Sequence, residues 1–251
     1  MKKFFVLLLV LTLVLSIATP AAGAKPISPK VLEAVFIHYE HPLPAKPGPA
    51  PAPKVNDYFL LLGPKWDLSK YPSGVPYVIN PSGAPAGAEL EVRAGLEAWD
   101  AATVAELFSD NPLIDTNSWW GKEDGRNNIS WQVFPDGRVL AGVWVWYFDN
   151  DNSGNMSPGD EVKETDMVFN ASKSWGIDAD GEGSAYQLKR TYDVRNIATH
   201  EAGHIVGMDD LYDTIYSEIT MYGYSGKGET KKISLNVGDV DGTKALYDPS
   251  P

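Results

Sequence analysis

The sequence predicts an α+β domain. From Val55 onward strand-like segments alternate with helix-like ones, the strand candidates are short and rich in β-branched and aromatic residues, and a helix with clear start and stop signals follows the last of them. A length of 251 residues leaves room for one such domain plus a leading segment.

The chain opens with Lys2 and Lys3, an apolar run from Phe4 to Leu15, and small residues ending in Ala22-Gly23-Ala24. That is the order of a secretory signal peptide with its cut after Ala24, so residues 1–24 are expected to send the protein out of the cell or to its surface. An uncleaved membrane anchor is the alternative, because the apolar stretch through Ala18 falls only slightly short of the roughly 20 residues that span a bilayer. Residues 25–54 then change in composition. VLEAVFIHYEH (31–41) suits a short strand or helix, whereas PLPAKPGPAPAPK (42–54) reads as an extended, semi-rigid spacer. The region is either a pro-segment or a spacer, His38 and His41 in it are not expected to bind metal, and the folded domain is expected over 55–251.

Within that domain VPYVIN (75–80) reads as a strand closed by Pro81. AELEVRAGLEAWDAAT (88–103) has Leu90, Ala94, Ala98 and Ala102 at helical spacing, with Leu96 and Trp99 widening the apolar face. NNISWQVF (127–134) and RVLAGVWVWYF (138–148) are strand candidates joined through the turn signal Pro135-Asp136-Gly137, and ETDMVFN (164–170) is another. A formal net charge of −12 disfavours nucleic acid and anionic membrane surfaces as partners. Cysteine is absent, so any metal must be held by His, Asp, Glu or carbonyl oxygen.

DVRNIATHEAGHIVG (193–207) places Val194, Ile197, Ala198, Ala202 and Ile205 at helical spacing, with Asp193 as N-cap and Gly207 as stop. His200 and His204, four apart, project from one face and can share a metal ion, while Glu201 is directed to a water beside it. Gly207 lets the chain turn and deliver Asp210. Two neutral imidazoles and a carboxylate satisfy zinc and leave one position open. Asp209, Asp213 and Glu218 fit that turn less well. A second metal is suggested by DNDNSGNMSPGDE (149–161), which sets Asp149, Asp151 and Ser153 at loop positions 1, 3 and 5, Gly154 at 6, the Asn155 carbonyl at 7 and Asp160 at 12, following a calcium-binding loop. Glu161 is an alternative to Asp160, a plain acidic turn is the other reading of the segment, and DADGEG (178–183) reads as a loop.

His200-Glu201-x-x-His204-x-x-Gly207-x-x-Asp210 resembles the metzincin zinc signature with its third histidine replaced by aspartate, as in snapalysin-type proteases. Met221 in EITMYGY stands where that clan has its Met-turn, and SLNVGDVDGTKALYD (234–248) resembles the C-terminal helix of the matrixins through Leu235, Asp239, Asp241-Gly242 and Ala245-Leu246-Tyr247. The resemblance implies a zincin fold, namely a mixed twisted sheet with an active-site helix, a Met-turn and a C-terminal helix. It implies that ETDMVFN is the edge strand along which a substrate peptide lies, and that Asp239 is a partner for a processed N-terminal ammonium. The pro-segment cysteine and the histidine-rich structural zinc segment of matrixins are missing here.

The function expected is that of a secreted, monomeric zinc endopeptidase acting on protein or peptide substrates. Catalytic Zn2+ sits on His200, His204 and Asp210, structural Ca2+ sits in the 149–160 loop, and Glu201 is the general base for a zinc-activated water. Tyr222 and Tyr224 either line the pocket or pack. Two alternatives remain: a calcium-binding surface or adhesion protein on an inactive zincin fold, and a zincin whose third ligand is Glu218 or Glu229.

Overall fold

The computed structural model describes residues 29–41, 57–178 and 189–248. The signal segment 1–24, the proline-rich stretch 42–54 and residues 179–183 of the DADGEG loop lie outside the described residues.

The first described element is β1 (Lys30–Glu40), and β2 (Val78–Ile79) follows it after a long interval. Next come α1 (Ala88–Asp100), β3 (Leu113–Ile114), β4 (Asn128–Gln132), β5 (Val139–Asp149) and β6 (Glu161–Asn170). β7 (Trp175–Gly176) and β8 (Tyr192–Asp193) pair with each other, then come α2 (Val194–Val206), β9 (Tyr224–Ser225) and α3 (Val237–Tyr247). The main sheet has the order β3-β2-β4-β6-β5-β1-β9. β3, β2, β4 and β6 run parallel, β5 is antiparallel to β6, and β1 is antiparallel to β5. The result is α+β with a mixed sheet, as the sequence predicts.

β5 and β6 form because Val, Trp, Phe and Tyr fit a pleated surface, and both strands are buried along most of their length. α1 crosses α2 at close range. A Cβ at Gly95 would come within 2.8 Å of the Thr199 nitrogen, and Trp99, fully buried, donates its indole N–H to the Thr199 carbonyl at 2.8 Å. Val92, Leu96 and Trp99 on that face each contribute about 1.5–3 kcal/mol by leaving water. α2 is buried at every position except Arg195, so its polar side chains must find partners inside the protein.

Two expectations are corrected here. ETDMVFN, expected at the sheet edge, lies in β6 between β4 and β5. β5 is interior as well, paired with β6 on one side and β1 on the other. Residues 31–41, read as a short strand or helix, form the strand β1, and it joins the sheet from ahead of Val55, where the folded domain was expected to begin: it pairs with β5 from Lys30↔Asp149 to Tyr39↔Val139, with a bulge between His38 and Tyr39.

Candidate active site

α2 starts and stops where its sequence signals stand. The Asp193 carboxylate accepts the Asn196 N–H at 2.7 Å, and Gly207 takes φ 107°, a left-handed conformation in which a Cβ would meet the Pro64 carbonyl at 2.8 Å. The turn returns the chain so that Asp210 Oδ1 lies 3.3 Å from His200 Nε2 and 3.7 Å from His204 Nε2. His200, His204 and Asp210 are all buried, and one ligand atom from each lies within 4.8 Å of the others.

The outer nitrogens define what the inner ones present. His200 Nδ1 bonds the Thr220 carbonyl at 2.8 Å and His204 Nδ1 bonds the Met208 carbonyl at 3.0 Å. A carbonyl only accepts, so both Nδ1 atoms carry the proton and both Nε2 atoms of the neutral rings turn lone pairs inward. Burial drives the His200 imidazole down to about 4, opposed by Asp210, so it is neutral at physiological pH. Burial pushes the Asp210 carboxyl upward, but His204, His200 and Tyr212 outweigh it and hold the group below the usual carboxylate range. Tyr212 donates its hydroxyl to Asp210 Oδ2 at 2.8 Å. Three buried lone-pair atoms, His200 Nε2, His204 Nε2 and Asp210 Oδ1, therefore converge without a hydrogen-bond donor between them. That arrangement is repulsive on its own and attractive around a cation, and the N2O donor set fits zinc with a position to spare.

Glu201 is fully buried and neither carboxylate oxygen has a hydrogen-bond partner. Burial first, and then the Asp210 charge, lift its carboxyl well above the usual range, while Lys232 opposes the shift. Beneath the helix lies Met221, 1% exposed. A Cβ at Gly203 would overlap its sulfur, so the glycine of HEAGH makes room for the methionine. Asp239 caps α3 by accepting Asn236 N at 2.8 Å and also accepts Thr220 N at 3.2 Å, which ties the Met221 turn to the last helix; its Oδ1 has no hydrogen-bond partner. Tyr222 is buried and packs on His41 and Tyr224, as the packing alternative foresaw.

The rival ligands lie elsewhere. Glu218 pairs with Lys231 at 3.5 Å, and Glu229 accepts from Gly226 N at 3.2 Å and stands 3.7 Å from His41. In the acidic loop Asp149, Asp151 and Asp160 bring carboxylate oxygens within 4.8 Å of one another, Gly154 takes φ 78°, and Ser153 Oγ lies 2.9 Å from the Asn155 carbonyl. Those same carboxylates also accept backbone N–H groups: Asp149 from Ser153 and Gly154, Asp160 from Asn150 and Ser157. Glu161 turns away to Lys70.

Sequence reasoning missed three groups. Tyr212 is one. Lys232 is fully buried and donates to the carbonyls of Tyr222 and, at 3.1 Å, Tyr224; burial brings its ammonium down to about 8. The third is the place of β1 beside the site. His38, which was not expected to bind metal, is fully buried with its ring 3.9 Å from that of His200 and its Nδ1 3.3 Å from Glu201 Oε1, and Phe36 stacks on His204 at 4.7 Å. A strand alternates its faces, so residues 36 and 38 point the same way, a period the sequence does contain.

Residues 148–248 match the matrixin family, a segment that holds the acidic loop, α2, the Met221 turn and α3. Over 123 residues the chain is 28% identical to Metalloendoproteinase 4-MMP of Arabidopsis thaliana, covering 45% of this chain and 33% of that protein. Over 85 residues it is 35% identical to Metalloendoproteinase 1-MMP of the same plant, covering 34% of this chain and 21% of that protein. The chain thus spans a third or less of the curated relatives it matches, and the likenesses support a matrixin-type, metzincin-like domain.

Proposed function

We propose that this protein is a zinc-dependent endopeptidase of matrixin type, with the metal on His200, His204 and Asp210 and Glu201 as the general base. The observation that carries this reading is the convergence of three buried, donor-free lone-pair atoms beside a buried carboxylate that makes no hydrogen bond. Zinc, when bound, supplies Lewis acidity, polarising the scissile carbonyl and making a water acidic near neutral pH. Glu201 takes the proton of the attacking water and passes it to the leaving amine. Thr220, Met208 and Tyr212 orient the three ligands through their outer atoms, and Met221 supports them from below. The aspartate in third place is the variant shared with snapalysin-type proteases. Export by residues 1–24, a calcium ion held by Asp149, Asp151, Ser153, Asn155 and Asp160, and an N-terminal ammonium on Asp239 belong to the same proposal.

The test is zinc content with casein cleavage. Wild type retains one zinc, Glu201→Ala retains it and loses all cleavage, and Asp210→Ala loses the metal. Full zinc retention in Asp210→Ala would remove the aspartate from the site.

A further inference from the structure

A peptide substrate needs a free sheet edge to join as an added strand. In this protein the side of β5 away from β6 is taken. β1 pairs antiparallel with β5 over ten positions and parallel with β9 through Tyr39↔Tyr224 and Glu40↔Ser225, and His41 N donates to the Ser225 carbonyl at 3.0 Å. The backbone groups on both sides that would hold an extended ligand are thereby used by residues 30–41. Their side chains reach the centre: Phe36 covers His204, and His38 lies against His200 and Glu201.

We infer that β1 is an internal occupant of the peptide-binding cleft, and that His38 closes the cleft by standing between Glu201 and the metal position beside His200. The inference rests on the reading of the site as a zinc peptidase. One nitrogen of His38, one of His200 and one oxygen of Glu201 lie within 4.8 Å of one another. The water that Glu201 must share with the metal would have to stand in that space, and the imidazole is there. The ring is fixed from behind by Ser225 Oγ at 3.1 Å and Lys232 Nζ at 3.4 Å, both on Nε2. Lys232 only donates, which leaves Nδ1 as the N–H that faces the Glu201 carboxylate.

A histidine packed for structure alone would have its second nitrogen paired, whereas Nδ1 of His38 makes no aligned hydrogen bond and is aimed at the reacting groups. The strand is an occupant and not a substrate, because a side chain faces Glu201 where a scissile carbonyl would have to be, and the register slips between His38 and Tyr39 at that point. The proline-rich sequence 42–54 connects β1 to the rest of the chain. A cut there turns an intramolecular strand, held at high effective concentration, into a peptide that dilution removes.

The experiment uses the full chain with a specific protease site placed within residues 42–54 and cobalt(II) exchanged for zinc. Acetohydroxamate is the probe and the visible spectrum of the metal the readout, with casein hydrolysis in parallel. The uncut chain should show no spectral response. Cutting followed by dialysis should produce one and raise hydrolysis at least tenfold. A synthetic peptide of residues 29–41 should reverse both, and its His38→Ala version should need at least tenfold more. In case a cut strand stays seated, His38→Ala in the uncut chain must by itself admit acetohydroxamate. An uncut wild-type chain that binds the probe and hydrolyses casein as well as the cut one overturns the inference, as does an unresponsive His38→Ala. Absence of metal in every form would instead sink the peptidase reading.

Discussion

Gly203→Ala is the sharpest test of the layer beneath α2. In an ordinary helix interior this change stabilises by about 1 kcal/mol, through lost backbone freedom in the unfolded chain and better propensity. Here the added methyl would overlap Met221 Sδ and come within 2.8 Å of Trp99 Cζ2. Ordinary carbon contacts lie near about 3.5 Å or beyond, so the indole must retreat by about 0.7 Å and the sulfur by more. Neither has free space, since Trp99 is 0% and Met221 1% exposed. Overpacking of a tight core costs about 1–3 kcal/mol, which outweighs the helix gain and gives a net loss of up to about 2 kcal/mol. The neighbouring Thr220 carbonyl holds His200 Nδ1 at 2.8 Å, so displacing Met221 should also weaken zinc retention. Urea unfolding of Gly203→Ala, Met221→Ala and the double variant measures the conflict directly. Met221→Ala alone should cost about 2–5 kcal/mol through the cavity it leaves. The double variant should be at least about 1 kcal/mol more stable than additivity allows, because the new methyl then fills space instead of colliding. A single Gly203→Ala variant more stable than wild type would refute the packing argument.

Tyr212→Phe removes the hydroxyl that fixes Asp210 Oδ2, and zinc affinity measured by chelator competition should fall about tenfold or more. Burial raises the Asp166 carboxyl to about 7 against N–H groups of Asn128 and Gly121 that pull it down. A raised native value means the protonated form is favoured by folding, so wild type should lose stability relative to Asp166→Asn as pH rises from about 4 through about 7, by at most about 1.4 kcal/mol per pH unit; parallel urea midpoints across that range would contradict this. If the 149–160 loop chelates calcium, a hundredfold excess over Kd adds about 2.7 kcal/mol of stability, seen as a higher Tm in wild type and lost in Asp149→Asn; an unchanged wild-type Tm leaves the loop a hydrogen-bonded turn. Lys232→Met should melt earlier, because the Tyr222 and Tyr224 carbonyls lose their donor, yet keep its zinc; loss of zinc would show that the lysine serves the geometry of the site.

What was legible in the sequence is what local spacing determines. His200 and His204 share a face because a helix repeats every 3.6 residues, Asp193 caps because a carboxylate reaches N3, and Gly207 turns because it has no Cβ. Asp210 followed from those three. That residues 31–41 suit a strand was legible, but the place of β1 in the sheet was not, since its partners lie a hundred residues or more away in β5 and β9. β6 was misplaced at the edge for a related reason: apolar content reports covered faces, while edge position depends on which strand pairs with which. Tyr212 faces Asp210 only after the chain doubles back, and Lys232, one of two adjacent lysines, has the composition of a surface pair although its side chain is fully buried.

The buried lysine and the unusual aspartate make sense together. Replacing a neutral histidine ligand by a carboxylate lowers the charge around the metal by one, which on its own weakens the pull on a carbonyl or a water. Among the buried residues described, Lys232 is the one lysine or arginine, and its charge acts on Glu201 and is acted on by Asp210. A fixed ammonium at this depth returns the lost unit of charge. It also lowers the cost of keeping two carboxylates, Glu201 and Asp210, out of water within one small volume. The same ammonium touches His38 Nε2 at 3.4 Å. One side chain from the segment after the Met221 turn therefore acts by its charge on Glu201 and Asp210 and touches His38, so in the proposed site the residue that balances the charge also orients the imidazole of β1.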